Sequence, residues 1–210
     1  MLATCAMKRI GLLGGSFNPA HRGHRRISLA AMAALDLDEV WWLVSPGNPL
    51  KAEKGMAPYR ARLASARLAA RGARIRVSDF ERRAETRYTV DTVAVLQRRY
   101  KHTRFIWLMG ADTVAQFPQW RSWRALARMV PIAVIHRPGY DARAHAALAM
   151  GWLKWFVRPA GQAKRWTQWS APAITFLRLP PDPTSATRLR ARNPNWHRRF
   201  HSGSRQALSS

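Results

Sequence analysis

Short apolar runs recur along the chain, and each gives way to a turn and then to a stretch with helical spacing. Residues 9–13 (Arg-Ile-Gly-Leu-Leu), 39–45 (Glu-Val-Trp-Trp-Leu-Val-Ser), 104–109 (Arg-Phe-Ile-Trp-Leu-Met), 131–136 and 173–179 are short and dominated by branched and aromatic side chains. They read as strands buried on both faces, as parallel strands are. Residues 74–79 alternate and read as one more strand. Helices are predicted over the alanine-rich stretch 27–35, over 58–71 with its arginines on the outer face, over 88–100 with Thr89 as cap, and over 120–129. A last helix opens within 184–190. Strand and helix alternate, which predicts a single α/β domain: a Rossmann-like, doubly wound parallel sheet of about five to six strands with a C-terminal helix. Right-handed crossovers bring every strand-to-helix loop to one edge of that sheet.

The pattern weakens between residues 142 and 172, which read as a surface helix plus a loop with no assigned task. We place an N-terminal extension at 1–7, the domain at 8–192 and a basic C-terminal tail at 193–210. Met7 stands directly before the first strand, so translation from either Met1 or Met7 fits.

Composition narrows the class. With 210 residues the chain can bury one substantial core. Although 47% of the residues are apolar, no run reaches membrane-spanning length, so no membrane partner and a cytoplasmic location are expected. The single cysteine, Cys5, excludes an intramolecular disulfide. Lysine and arginine total 36 against 11 carboxylates, a formal charge of +25 that raises the question of nucleic acid. Neither zinc-finger spacing nor an RNA-binding aromatic signature accompanies it, so a specific nucleic-acid partner is not expected. Attraction of polyanionic nucleotides does follow from such a field. Homo-oligomerisation stays open.

The chemistry concentrates after the first apolar run, in Gly14-Gly15-Ser16-Phe17-Asn18-Pro19-Ala20-His21-Arg22-Gly23-His24. This is the turn from a first strand to a first helix, where open parallel sheets hold ligands and free N–H groups favour anions. Gly14 and Gly15 let the backbone come close to a phosphate. His21 and His24, three apart, share one face of a helical turn and converge on one ligand. Near the other end, Ser185 and Thr187 are natural helix caps, and Arg190 falls one turn later. Hydroxyls and a guanidinium together suit the outer phosphates of a triphosphate.

The first stretch resembles the nucleotidyltransferase signature that ends in His-x-Gly-His, with Asn18 at its Asp/Asn position. The second resembles Ile-Ser-Ser/Ala-Thr-x-x-Arg, with Thr184 where isoleucine is usual. Residues 48–51, Tyr88-Thr89-Val90-Asp91-Thr92, Gly110-Ala111-Asp112, Phe117-Pro118-Gln119-Trp120 and 137–140 agree with both. Over roughly 8–192 the chain is therefore similar to bacterial nicotinate-nucleotide adenylyltransferases. The resemblance implies transfer of AMP from ATP to nicotinate mononucleotide, giving deamido-NAD and pyrophosphate with Mg²⁺, a step of NAD biosynthesis. It implies catalytic roles for His21, His24 and Arg190, and ATP contacts from Gly14, Gly15, Ser16, Phe17, Gly110, Asp112, Ser185 and Thr187. It puts Asn48, Lys51, Thr89 and Trp120 around nicotinate mononucleotide, and assigns no protein side chain to the metal. A pyridinium ring would stack well on the Trp120 indole. Trp41 and Trp42 read as packing, and His136 is open between structural and ligand-facing roles.

Two alternatives share these features. One is a nucleotidyltransferase of another acceptor, nicotinamide mononucleotide or phosphopantetheine. The other, prompted by the charge, is a nucleic-acid-binding protein on the same scaffold.

Overall fold

The computed structural model describes residues 7–47, 55–135, 147–178 and 184–200. Six strands form one sheet: β1 (Lys8–Gly15), β2 (Glu39–Val44), β3 (Ile75–Ser78), β4 (Thr103–Gly110), β5 (Ile132–Ile135) and β6 (Ile174–Leu177). Their order is β3-β2-β1-β4-β5-β6, and every neighbouring pair is parallel. The sheet is the doubly wound one that the alternation predicts. Winding reverses between β1 and β4, and in such sheets the crevice beyond the carboxyl ends of those two strands is the ligand site.

Around it run α1 (Arg22–Leu35), α2 (Tyr59–Ala70), α3 (Phe80–Arg83), α4 (Thr89–Arg99), α5 (Ala111–Val114), α6 (Trp123–Met129), α7 (Leu148–Leu153) and α8 (Ala186–Arg192). Strand alternation sends side chains to two cores. Ile10, Leu12, Trp41, Leu43, Phe105 and Trp107 pack with Val93 and Leu96 of α4 and Leu126 of α6. Leu13, Val40, Trp42, Ile106 and Leu108 pack on the opposite face with Ala31 and Leu35 of α1 and Ala66 and Ala70 of α2. Trp41 and Trp42 thus both serve packing, one on each side of the sheet. At about 1.5–3 kcal/mol for each large apolar side chain buried, these two layers supply the main stabilising term.

Three expectations need correction. Helix α1 starts at Arg22 rather than near residue 27, because the His21 side chain caps it. Thr89 is the first residue of α4, and Tyr88 precedes it in the cap position with no side-chain cap bond. The described part of the weakly patterned segment is not a surface appendage. Ala149, Met150 and Leu153 of α7 enter one core, and Ala163 and Trp166 of the 3-10 helix Ala160–Gln168 enter the other. Trp166 Nε1 donates to the Leu35 carbonyl oxygen at 2.9 Å. A few apolar positions among many cations conceal such a role in sequence. Beyond α8, Trp196 is buried in the 3-10 helix Trp196–Phe200. Among the described residues, no helix is long and apolar enough to cross a membrane.

Candidate active site

The turn after β1 is built from the backbone outward. A Cβ on Gly14 would lie 2.7 Å from the Trp107 indole, so the strand-end glycine answers to a ring on β4 as well as to any ligand. Phe17 takes a left-handed backbone (φ 46°) and is buried, stacked on Trp42 at 5.0 Å between ring centroids. A bulky residue is held there only when its surroundings impose it, and such conformations cluster at functional sites. Asn18 is buried too: its Nδ2 donates to the Gly55 carbonyl oxygen at 3.0 Å, and its Oδ1 accepts from the Ala57 N–H at 3.2 Å.

The histidines form a reciprocal cap on α1. His21 Nδ1 accepts the Gly23 N–H at 3.1 Å, and His24 Nδ1 accepts the His21 N–H at 3.2 Å. In the neutral rings, each Nδ1 being an acceptor assigns the proton to Nε2, which leaves two N–H donors side by side. Their ring centroids lie 3.9 Å apart, the convergence that the three-residue spacing predicts. Phe17 and Trp42 back His24 at 5.0 and 5.9 Å.

The far end of the chain returns to this turn. Arg190 Nη1 donates to the Asn18 carbonyl oxygen at 2.6 Å, and Nη2 donates to Thr187 Oγ1 at 3.4 Å. Ser185 caps α8 by accepting the Arg188 N–H at 3.2 Å. A Cβ on Gly23 would stand 2.9 Å from the His21 ring and 3.3 Å from the Thr184 carbonyl oxygen, so the two signature segments touch.

Beside the turn opens a cleft of about 300 Å³, lined by Gly14, Gly15, Ser16, Ser45, Glu81, Arg87, Tyr88, Thr89, Trp107, Gln119, Trp120 and Arg121. Thr89 and Trp120 therefore share one cavity with the glycine turn. Trp120 is half-buried, with Phe117 and Trp107 edge-on at 5.5 and 6.0 Å. The exposed Arg121 guanidinium stacks over Tyr88 at 4.6 Å and makes the rim positive. His21, His24 and Arg190 lie at the neighbouring turn rather than in the wall of this cleft. Gly110 ends β4, and Asp112 follows in α5, beside β1 at the switch point. Asn48 and Lys51, like His136, fall outside the described residues.

Two residues that the sequence reading passed over stand out. Arg62, expected on the outer face of α2, is 1% exposed. Its Nε donates to Ala57 O at 3.0 Å, its Nη1 to Ser16 O and Ser45 O at 2.7 Å each, and its Nη2 to Pro46 O at 2.9 Å. One cation thus holds the carbonyls at the ends of β1 and β2, which satisfies the guanidinium in place of a carboxylate. Burial without a carboxylate lowers its pKa. Glu81 is buried at the cleft wall, and burial pushes its carboxyl up to about 7 against the opposing pull of bonds to Ser45 and Thr92. Sequence offered one signal for Arg62, its place within a turn of Ala61, Ser65 and Ala66 on the apolar face of α2.

Comparison with known proteins points one way. The cytidylyltransferase-like family model matches residues 12–192. A protein of Erythrobacter litoralis carrying the name “probable nicotinate-nucleotide adenylyltransferase” is 55% identical over 195 residues, covering 93% of this chain and 89% of that one. A protein of Gluconobacter oxydans with the same name is 52% identical over 182 residues, covering 87% and 93%. In fold, the chain matches the structure of Plasmodium falciparum nicotinic acid mononucleotide adenylyltransferase complexed with NaAD, at a TM-score of 0.64 and 16% identity over 88% of this chain and 83% of that one.

Proposed function

Because the chain belongs to the nicotinate-nucleotide adenylyltransferase family, we propose that it transfers AMP from ATP to nicotinate mononucleotide, releasing pyrophosphate in the adenylylation step of NAD biosynthesis. A phosphate oxygen of the acceptor attacks the α-phosphorus in line. The new P–O bond forms as the bond to the β-phosphate bridging oxygen breaks, and the electron pair leaves with pyrophosphate. A phosphate monoester is already anionic at neutral pH, so the nucleophile needs no strong base. What the protein must supply is alignment of two polyanions and donors where charge grows.

His21 and His24 take the donor role through Nε2, beside the backbone N–H groups of Gly15 and Ser16. Arg190 and Thr187, with Ser185, hold the outer phosphates, and Gly14, Phe17, Gly110 and Asp112 complete the ATP side. Trp120 and Thr89 receive the pyridine nucleotide, with Asn48 and Lys51 assigned to the same acceptor. Among the described residues, no three histidine, cysteine or carboxylate side chains converge. A divalent cation such as Mg²⁺ would then be carried on the phosphate oxygens of ATP, where it would offset the charge of the triphosphate and leaving group. The observation that carries this reading is the meeting of the two signature segments: Arg190 bonded to Asn18 and the Thr184 carbonyl set against Gly23.

The test is an acceptor panel. Pyrophosphate release with ATP is expected to be fastest with nicotinate mononucleotide. Equal or faster release with nicotinamide mononucleotide or phosphopantetheine would reassign the acceptor, and no release with any of them would remove the activity.

A further inference from the structure

Glu81 sits in the wall of the cleft assigned to the acceptor, and nothing in the reaction above uses it. Its carboxyl is bonded to two hydroxyls, Ser45 and Thr92. Each hydroxyl has one hydrogen. Ser45 Oγ donates its hydrogen to the Gly47 carbonyl oxygen at 2.6 Å, and Thr92 Oγ1 donates to the Tyr88 carbonyl oxygen at 3.2 Å. Thr86 Oγ1 lies a further 2.8 Å from Thr92 Oγ1 and completes that chain of hydroxyls. The Ser45 hydrogen is thereby committed, while Thr92 can turn its own to Glu81 when Thr86 donates to it. A neutral carboxyl, with one O–H to give Ser45 and one carbonyl oxygen to accept from Thr92, satisfies both contacts.

The charged surroundings agree. From its own helix Arg82 points its guanidinium over the Tyr59 ring, with Asp79 preceding that helix. From α2, Arg62 spends its donors on four carbonyls, and Tyr59 presents a phenol whose own ionisation is disfavoured by burial and by Asp79 and Glu81. From the loop before α4 and from the far wall, the exposed Arg87 and Arg121 flank Tyr88 at 5.9 and 4.6 Å. Among the described residues, no cation makes an ion pair with Glu81. An acceptor bearing a phosphate, and in the acid form a ring carboxylate, adds negative charge to this low-dielectric pocket.

We propose that Glu81 is a proton-linked specificity residue: the acceptor binds to the form of the enzyme in which the Glu81 carboxyl is neutral, and ionisation of Glu81 expels the anionic ligand. This rests on the assignment of the cleft to nicotinate mononucleotide. Since burial sets the free-enzyme carboxyl near 7, acceptor binding above that pH must draw a proton from solution. The anion sensed is either the phosphate or the ring carboxylate, and the two arms of the experiment separate them.

The experiment is calorimetric titration of the full chain with nicotinate mononucleotide at about pH 7.5, in two buffers of different ionisation enthalpy. The acceptor phosphate, with its second pKa at about 6, is already a dianion there and releases no proton of its own. More than half a proton taken up per acceptor, approaching about three-quarters if the bound carboxyl stays neutral, is expected from the linkage. Glu81→Gln should reduce the uptake to near zero and flatten the acceptor KM, which in the unsubstituted protein should climb up to about tenfold per pH unit above 7 with little change in kcat. The same uptake with nicotinamide mononucleotide assigns the phosphate as the sensed anion, and uptake with the acid alone assigns the ring carboxylate. Tight binding without proton exchange, or uptake that survives Glu81→Gln, overturns the proposal and leaves the adenylyltransferase reading standing. Failure of nicotinate mononucleotide to bind overturns both. Absence of uptake in the two-buffer measurement on the unsubstituted chain overturns the proposal even where the variant does not fold.

Discussion

The Arg190 guanidinium donates to the Asn18 carbonyl oxygen at 2.6 Å, across 172 positions of sequence. That bond closes the last helix onto the turn between β1 and α1, and it points the Arg190 charge at the same place where the two histidines cap α1. The phosphate site assigned to this family member depends on that closure.

Arg190→Ala removes the tie and the charge together. It is expected to lower kcat/KM for ATP about a hundredfold or more, on the scale of one lost transition-state donor. Arg190→Lys keeps a cation without the fork, so it should recover only part of the loss. Steady-state kinetics with circular dichroism as a folding control check this. A near-normal kcat/KM in a folded Arg190→Ala protein would remove the residue from the phosphate site.

His24 has two tasks that separate by measurement. As a cap, its Nδ1 satisfies the His21 N–H, and loss of a cap costs about 1 kcal/mol of stability. As a donor through Nε2, its loss should cut turnover about a hundredfold. His24→Asn can restore the capping oxygen while lacking the distal donor. It should therefore recover the melting temperature of His24→Ala without recovering its kcat. Recovery of both would make the histidine a structural element alone.

Arg62→Met leaves four carbonyls, three at the ends of β1 and β2 and that of Ala57 before α2, without their shared donor. Each buried carbonyl left without a donor costs about 1–3 kcal/mol, so chemical denaturation should register a loss of at least about 3 kcal/mol over the four. Arg62→Lys should also be unstable, since a single ammonium cannot reach four carbonyls in the geometry of a fork. A loss under about 1 kcal/mol for either variant would be the value of a solvated surface arginine instead.

Gly14 and Gly15 are neighbours with different reasons to be glycine. A Cβ on Gly14 meets Trp107 at 2.7 Å, whereas one on Gly15 meets only Phe17 at 3.4 Å. Gly14→Ala is expected to destabilise by about 1–3 kcal/mol through overpacking. Gly15→Ala should keep its melting temperature, and any loss of activity then measures how closely the ligand approaches the backbone. Equal melting temperatures for the two variants would contradict the contact with Trp107.

The alternation of apolar runs and helical stretches made the sheet legible, because a strand buried on both faces needs a continuous apolar run whatever surrounds it. The histidine spacing made the local convergence legible, because three residues along a helix bring two side chains onto one face. Arg62 was not legible in the same way. In an arginine-rich helix each cation satisfies the pattern of an outer face, and only carbonyls brought from two strand ends make one of them a buried clamp. Glu81 likewise reads as an ordinary charged residue until Ser45 and Thr92, from separate elements, close over it. The stretch from 147 to 172 reversed expectation because Trp166 finds the Leu35 carbonyl only after the crossover to β6 has been made.

Local sequence pattern alone determined the doubly wound sheet, the glycine turn with its converging histidines, and the serine–threonine–arginine helix near the far end. Tertiary structure decided which charges leave water, the Arg62 guanidinium among carbonyls and the Glu81 carboxyl among hydroxyls, and which charge reaches back to Asn18, that of Arg190. Periodicity is a property of neighbours in the chain. The solvation of a charge depends on groups that folding gathers from everywhere else.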